Sequence, residues 1–544
     1  MKSISGVLRR IDGRGYKAYR DLLGAREGVD GYSVEVVRVQ GDPFAPPSVV
    51  RVRTRVRLPP IASKALVAVE DLLARRLHDA LARRSMRGVG EGGSGLLASP
   101  RLSPVMVRRS VVSVRYSGDG LFDVSVTVWV GLPSRGRRVM AGVAGELLLS
   151  RLPKALEEAL RNLHEGLGGH VNAWVEQEYI RSRLRDMGLV SFIGNGSILP
   201  RRCGGCWEPL EGAVPFESPK SLEVEVELPT GRVVRGMGVR RGLTVVTGPA
   251  FHGKTTLAEA IMAGVWNHIP GDGRELVVTI REAVGVESEN GRWVSCVDLS
   301  PWIKGLPGGR GVRCFTTADA SGATSVAASI QEAVEAGARL LVIDEDYTAT
   351  NIIHRDYWVE EVTGKKTLVT IPELAPGLKE LGVSIVMVAS GSPPLLAMAD
   401  QIIVMDEYKP LDATWYRGKA REALEALRYK EEAYTKPPKR RITKGISLFK
   451  PKLRGRILEA RGLKDRVDLS VLRQLEEEGQ LKTAVRLALR VASTNGAYIV
   501  DESRRVVKET LKELHNHPAP DAAEVRPIDV VMIVNRIPGL EVRV

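Results

Sequence analysis

The segment LTVVTGPAFHGKTTLAEAIMAGV, Leu243–Val265, restricts what this chain can fold into more than any other stretch. An apolar run of strand character leads into a glycine-bracketed loop, and the loop opens a helical pattern. Gly248 to Thr255 fit G-x-x-x-x-G-K-[ST], the loop that joins a buried strand to a helix and cradles phosphates. Gly248 and Gly253 let the backbone curl around Pro249, Ala250, Phe251 and His252, so that N–H groups face phosphate oxygens at the positive end of a helix. Lys254 brings a charge to the β- and γ-phosphates, Thr255 offers a hydroxyl to Mg²⁺, and Thr256 adds a phosphate contact. His252 either touches phosphate or faces solvent. The ligands implied are ATP and Mg²⁺.

Short apolar strands recur around this loop, in LTVVTG, LLVIDE and VSIVMVAS, each followed by helix or loop. That rhythm predicts an α/β core with strands buried on both faces. In RLLVIDED, four apolar residues deliver Asp344 to the C-terminal edge of a strand, where open α/β sheets bind ligands. Asp344 is the expected metal-side carboxylate, and Glu345 the residue to orient or deprotonate an attacking water. The upstream SLEVEVELPTGRVV alternates as a half-exposed antiparallel pair. The expected organisation is an N-terminal α+β domain over 1–215, an ATPase core over 216–425, and a basic segment with a small α/β domain over 426–544.

ASGATS, Ala320–Ser325, stands at the head of a helical pattern, and a Ser there needs no function beyond capping. Its spacing adds a second meaning. Ser321 lies 23 residues before Asp344, about the distance at which ABC-type ATPases place the Ser of their signature. In that class the signature Ser and Gly of one subunit grip the γ-phosphate on the other subunit's P-loop, and Ser321 and Gly322 match that pair. DEDYTATNIIHRD stands where such proteins carry their D-loop. Counting back from Ala399-Asp400, the switch histidine position falls on Ser390, so the usual histidine is absent. No Q-loop glutamine appears; Asp298 or Ser300 lies about where it belongs. No aromatic residue reads as an adenine-stacking group, which leaves the base preference open.

With RIDGRGYKAYRDL, VQGDPFAPPS, GNGSILPR, NHIPGDGRE, DASGATS, IDEDYTATN and MDEYKPLDAT, the chain resembles the predicted ATPases of the ABC class, a family of soluble stand-alone proteins. The resemblance covers most of the length. It implies an ABC-type core, a mixed sheet with helices, that dimerises and is flanked by α+β domains. It also implies an ATP-sandwich homodimer in which Glu345, Lys254 and Ser390 serve catalysis, and a link to RNA. The alternative is an ATP-dependent dimerisation switch or scaffold that turns over slowly or not at all. The absent histidine favours that alternative, and the Asp344-Glu345 pair favours hydrolysis.

A net charge of +14 with a pI near 9.6 fits a polyanionic partner, RNA more than DNA, or an arginine-rich solvated surface. Arg14, Lys17 and Arg20 in GRGYKAYR and Arg135, Arg137 and Arg138 in GLPSRGRR share that ambiguity. So does KPPKRRITKGISLFKPKLRGR, with Tyr429, Tyr434 and Phe449 in or beside it. No apolar run approaches the ~18 residues of a membrane helix, and no signal-peptide pattern opens the chain, so a cytoplasmic protein without a membrane partner is expected. Four unevenly placed cysteines suit reduced thiols. Cys203 and Cys206 lack the second ligand pair a structural zinc needs, and the histidines, His354 among them, show no metal-binding spacing.

Overall fold

Alternation in SVVRVRTRVR makes Ser48–Arg57 the middle of a sheet, with Val50 and Val52 turned into the core. The computed structural model describes residues 2–306, 309, 311–354, 357–425 and 431–544. Tyr429, Arg355-Asp356 of the HRD sequence, and Pro307-Gly308 lie outside them. The chain forms two compact units.

The first unit comprises Met1–Val175 with Glu477–Thr483 and Glu509–Glu524. Six of its strands are Arg26–Val29 (β1), Tyr32–Arg38 (β2), Ser48–Arg57 (β3), Leu97–Ala98 (β4), Val112–Gly118 (β5) and Leu121–Val130 (β6). They form one antiparallel sheet in the order β1-β2-β3-β6-β4, with β5 also paired to β6. The turn between β5 and β6 uses left-handed Asp119 and Gly120. Helix Leu66–Arg84 (α1) buries Val69, Leu72, Leu73, Leu77 and Leu81 against this sheet. A buried arginine ties the C-terminal segment into the unit. Arg109 meets Asp71 at 2.6 Å and Glu477 at 2.9 Å, and the Ser103 hydroxyl donates to Glu477 at 3.1 Å. Desolvation alone would discharge such groups; three in contact satisfy one another.

The second unit comprises Glu176–Glu476, Ala484–Lys508 and Val525–Val544. Leu189–Gly194 (β7), Glu223–Glu227 (β8), Val233–Arg240 (β9) and Val277–Thr279 form an antiparallel sheet. The alternation of SLEVEVELPTGRVV is its β8–β9 pair, packing Val226 and Val234 with Phe192 and Leu228. The core sheet begins with Leu243–Thr247 (β10), which leads into helix Lys254–Ala263 (α2). The edge strand is Ala283–Val286 (β11). Helix Gly322–Ala336 (α3) precedes Leu340–Asp344 (β12), and Ile371–Glu380 (α4) precedes Ser384–Val388 (β13). Pro393–Met398 (α5) leads to Gln401–Asp406 (β14), and Lys409–Asp412 (β15) closes the sheet. The order is β11-β12-β13-β10-β14-β15, parallel except for β15. This is the α/β core expected from the sequence. No helix among the described residues is long and apolar enough to cross a membrane.

Two expectations change. The cysteines are not free thiols: Cys203 bonds Cys206, and Cys296 bonds Cys314. The second pair, 18 residues apart, meets because the ladder Val294–Val297/Phe315–Thr317 brings the Cα atoms to 4.0 Å, a proximity that spacing does not reveal. Tyr434 is no stacking platform either. It is buried, donates to Gln331 and packs edge-on against Trp302. Arg440 is likewise consumed internally, by Glu335 at 2.7 Å and the Asn535 side chain at 2.9 Å. Phe449 is exposed.

Candidate nucleotide site

Register gathers the site. Val388 at the end of β13 pairs with Val246 of β10 on one side and with Asp344 of β12 on the other. The residues just beyond that line, Gly248, Ser390 and Glu345, therefore leave the sheet at one edge. The P-loop strand and the strand carrying Asp344 are not neighbours. The strand between them places Ser390 between their two loops.

Gly248 (φ +130) and Gly253 (φ +93) have backbones that side-chain-bearing residues rarely adopt. A Cβ on Gly248 would also lie 2.3 Å from the Met405 carbonyl oxygen. Gly253 ends the loop and α2 starts at Lys254. Lys254 Nζ reaches back over the loop, donating to Gly248 O at 2.8 Å and Pro249 O at 2.7 Å. Pro249, Ala250 and Phe251 are exposed, and Thr256 is half-buried at the first turn. His252 turns toward β14, where its Nδ1 accepts the Glu407 N–H at 2.9 Å.

Thr255 Oγ1 donates to Asp344 Oδ2 at 2.8 Å, across the sheet edge. The other carboxylate oxygen accepts the Asp346 N–H at 3.0 Å, which turns the chain out of β12. Burial pushes the Asp344 carboxyl above its ordinary value, with Asp346 adding to the shift, and outweighs the Thr255 and Asp346 hydrogen bonds. Burial raises Glu287 as well, and Glu289 and Asp344 add to it. Arg473 counters part of this: it pairs with Glu287 at 2.7 Å and lies 4.5 Å from the centre of the Tyr347 ring.

This donor set fits Mg²⁺. A hydroxyl and a carboxylate converge where negative charge is in excess, and both are hard oxygen ligands. Among the described residues no cluster of three or more His, Cys, Asp or Glu could cage a metal. Magnesium asks for less, because water and phosphate oxygens complete its shell.

Glu345 is held from two directions. Its Oε2 accepts the Ser390 N–H at 2.7 Å, and its Oε1 lies 3.4 Å from the Ser390 hydroxyl. His354 Nε2 stands 3.0 Å from Oε1. Partial burial pushes this carboxyl up, but the Ser390 N–H, His354 and the Ser390 hydroxyl outweigh it and hold Glu345 below the usual glutamate value. His354 is the residue that sequence reasoning missed. It lies nine positions past Glu345, within the D-loop-like stretch, and only the fold turns it back onto the carboxylate.

Ser321 and Gly322 do not join this group. Ser321 precedes α3 without a side-chain cap bond, its hydroxyl meeting the Thr324 hydroxyl at 3.0 Å. Gly322 packs so closely that a Cβ would lie 2.7 Å from Ser288 Oγ. Asp298 caps the Ser300 N–H at 3.0 Å. Among the described residues neither Ser321, Gly322, Asp298 nor Ser300 hydrogen-bonds to the P-loop.

Residues 163–441 match the P-loop domain of the ABC_ATPase family, and residues 1–163 match the N-terminal region described as that of the ATPase of the ABC class. The chain belongs to the ABC-class ATPase family. This P-loop ATPase of the ABC class is similar to an uncharacterized protein of Methanocaldococcus jannaschii, 33% identical over 258 residues. The match covers 45% of this chain and 56% of the relative, so it spans about half of that protein. The solved structure of cbiO1 from Clostridium perfringens, part of the ABC transporter complex cbiONQ, matches 44% of this chain and 93% of its own. The two share 15% identity, with a TM-score of 0.26.

Proposed function

We propose that this ABC-class ATPase binds and hydrolyses ATP in a homodimer, with each site shared between the P-loop of one copy and Ser321-Gly322 of the other. The observation that carries the reading is the convergence of Thr255, Asp344 and Glu345 at one sheet edge. Loop N–H groups and Lys254 hold the phosphates, while Thr255 and Asp344 hold Mg²⁺. The metal, when bound, neutralises phosphate charge. Glu345, kept ionised, orients the attacking water and takes up its proton. Ser390 and His354 fix the carboxylate that does this, and that bracing supports turnover over a slow ATP-dependent switch. ATP-dependent release of phosphate, absent in Glu345→Gln, tests the chemistry. Light scattering with and without ATP and Mg²⁺ tests the dimer: a chain that stays monomeric sinks the shared site.

We further propose that the N-terminal part, within 1–215, handles single-stranded nucleic acid, RNA before DNA, in a cytoplasmic protein. The 216–425 core supplies the cycle, and the basic 426–544 region supports it. Two loops over a hundred residues apart meet in the first unit: Tyr16 N–H donates to Arg137 O at 2.8 Å, and Val139 N–H to Arg14 O at 2.8 Å. Arg14, Lys17, Arg20, Arg135, Arg137 and Arg138 are all exposed there. Phe44, 70% exposed, sits beside them on the loop whose Asp42 lies 3.7 Å from Arg137. Cations with an exposed ring suit a backbone with splayed bases. Anisotropy titration of labelled oligo-U and oligo-dT at several salt concentrations tests this. Tight binding with a steep salt slope, weakened by R135E/R137E/R138E, is expected; equal binding by that triple variant overturns the assignment.

A further inference from the structure

The two-residue turn joining β14 to β15 presents an aromatic ring to the P-loop. Asp406 pairs with Lys409, which leaves Glu407 and Tyr408 as the turn, with φ of +45 and +68. Two left-handed residues in a two-residue hairpin are the signature of a turn that prefers Asn-Gly. Here the second place holds a tyrosine. Non-glycine residues in this region carry strain, and such strain collects where a side chain is needed for something other than folding.

That ring adds little to the core. Tyr408 is 56% exposed, and its hydroxyl makes no hydrogen bond among the described residues. It stands beside the P-loop instead: a Cβ on Gly253 would lie 3.4 Å from the ring. The hairpin and the loop run beside each other in step, Gly248 against the Met405 carbonyl, His252 on the Glu407 N–H, and Gly253 against Tyr408. The His252 contact therefore has a purpose that the phosphate chemistry left unassigned. It holds the turn, and so the ring, at a set height beside the residue that opens α2.

We infer that Tyr408 is the stacking platform for the base of the nucleotide whose phosphates the P-loop holds. This rests on the P-loop reading above and deepens it. The largely exposed ring next to Gly253 lies beside the phosphate cradle on the side away from Asp344 and Glu345, because β14 and β12 lie on opposite sides of β10 in the sheet. A triphosphate bound with its terminal phosphate toward Glu345 would point its nucleoside end toward the hairpin. Stacking grips a π-face without reading its edge.

The test is equilibrium binding of ATP and of inorganic tripolyphosphate to the full chain with Mg²⁺, for wild type, Tyr408→Gly, Tyr408→Phe, Phe251→Ala and Lys254→Ala. Tyr408→Gly puts the preferred residue into the turn, so folding is retained and thermal stability is unchanged or higher. It weakens ATP by about tenfold or more, the effect of removing one base–aromatic stack, and tripolyphosphate by less than about twofold. Tyr408→Phe keeps ATP within about threefold of wild type, since the ring remains. Unchanged ATP affinity in Tyr408→Gly, equal loss of both ligands, or loss of ATP in Phe251→Ala alone would each overturn the inference. Lys254→Ala separates the two readings, because it weakens both ligands together. If it changes neither, the P-loop reading itself fails and the stacking platform falls with it.

Discussion

The sheet edge at Thr255, Asp344 and Glu345 and the head of α3 at Ser321-Gly322 belong to one ATPase unit, yet they are finished to different degrees. At the edge each functional side chain has a partner: Lys254 on loop carbonyls, Thr255 on Asp344, Glu345 between Ser390 and His354. At the helix head no side chain among the described residues caps α3, and the Ser321 hydroxyl there meets the Thr324 hydroxyl. An uncapped helix start offers N–H groups and a positive dipole end to an anion. The edge is organised for chemistry by its own chain, whereas in the proposed dimer the helix head would be completed by the other copy's phosphate. That asymmetry is what the proposed pair of shared sites would require.

The most severe way to break the finished half is Glu345→Gln. Turnover should fall by about 10²–10⁴, the range for a lost general base, with ATP affinity retained; phosphate release under saturating ATP reads it. Retained turnover would move the chemistry elsewhere. Next comes Ser321→Arg, which should leave ATP binding to single chains within about twofold while ATP-driven dimerisation drops by roughly tenfold or more. Analytical ultracentrifugation with ATP and Mg²⁺ decides it. Dimers that persist would reduce Ser321 to an ordinary helix start.

His354 tests whether the finished half depends on its bracing. His354→Ala should lower kcat by about tenfold, the scale of one charge-assisted hydrogen bond, with KM moved less than about twofold. His354→Gln, which can still donate to Glu345, should recover part of that loss. A KM increase with unchanged kcat would make His354 a binding residue instead.

The two halves also differed in how far they could be read from sequence. The P-loop and the Asp344-Glu345 pair are contiguous motifs whose chemistry is local, and their strand settings follow from apolar runs. Ser390 could be placed by counting back from Ala399-Asp400. The contacts that complete these groups are through-space. Nothing in nine residues of spacing turns His354 onto Glu345, and nothing in 155 residues brings His252 under Glu407. The union of Arg109 with Asp71 and Glu477, the bond between Cys296 and Cys314, and the burial of Tyr434 likewise depend on how distant segments return. Composition suggested a basic surface but not which cations remain exposed; Arg440 is consumed internally and Arg137 is not.

The smallest expected effect bears on the comparison most directly. Gly322→Ala adds one methyl at the first turn of α3, where it would press on Ser288 Oγ at 2.7 Å, Asn290 Oδ1 at 3.1 Å and the Ala349 Cβ at 3.3 Å. The first of these is the end of a small side chain that can rotate away, and alanine suits a helix better than glycine. The two terms nearly cancel, leaving a stability change of at most about 1 kcal/mol. For a plain helix start, that is the whole consequence. For half of a shared site, the methyl also stands where a phosphate must approach the backbone closely, so ATP-driven dimerisation should weaken several-fold while the melting temperature moves by only about 2–4 °C. Thermal melts and sedimentation on the same sample separate the two meanings: loss of ATP-driven dimers with the fold intact supports the shared site, and dimers that persist leave Gly322 a plain helix start.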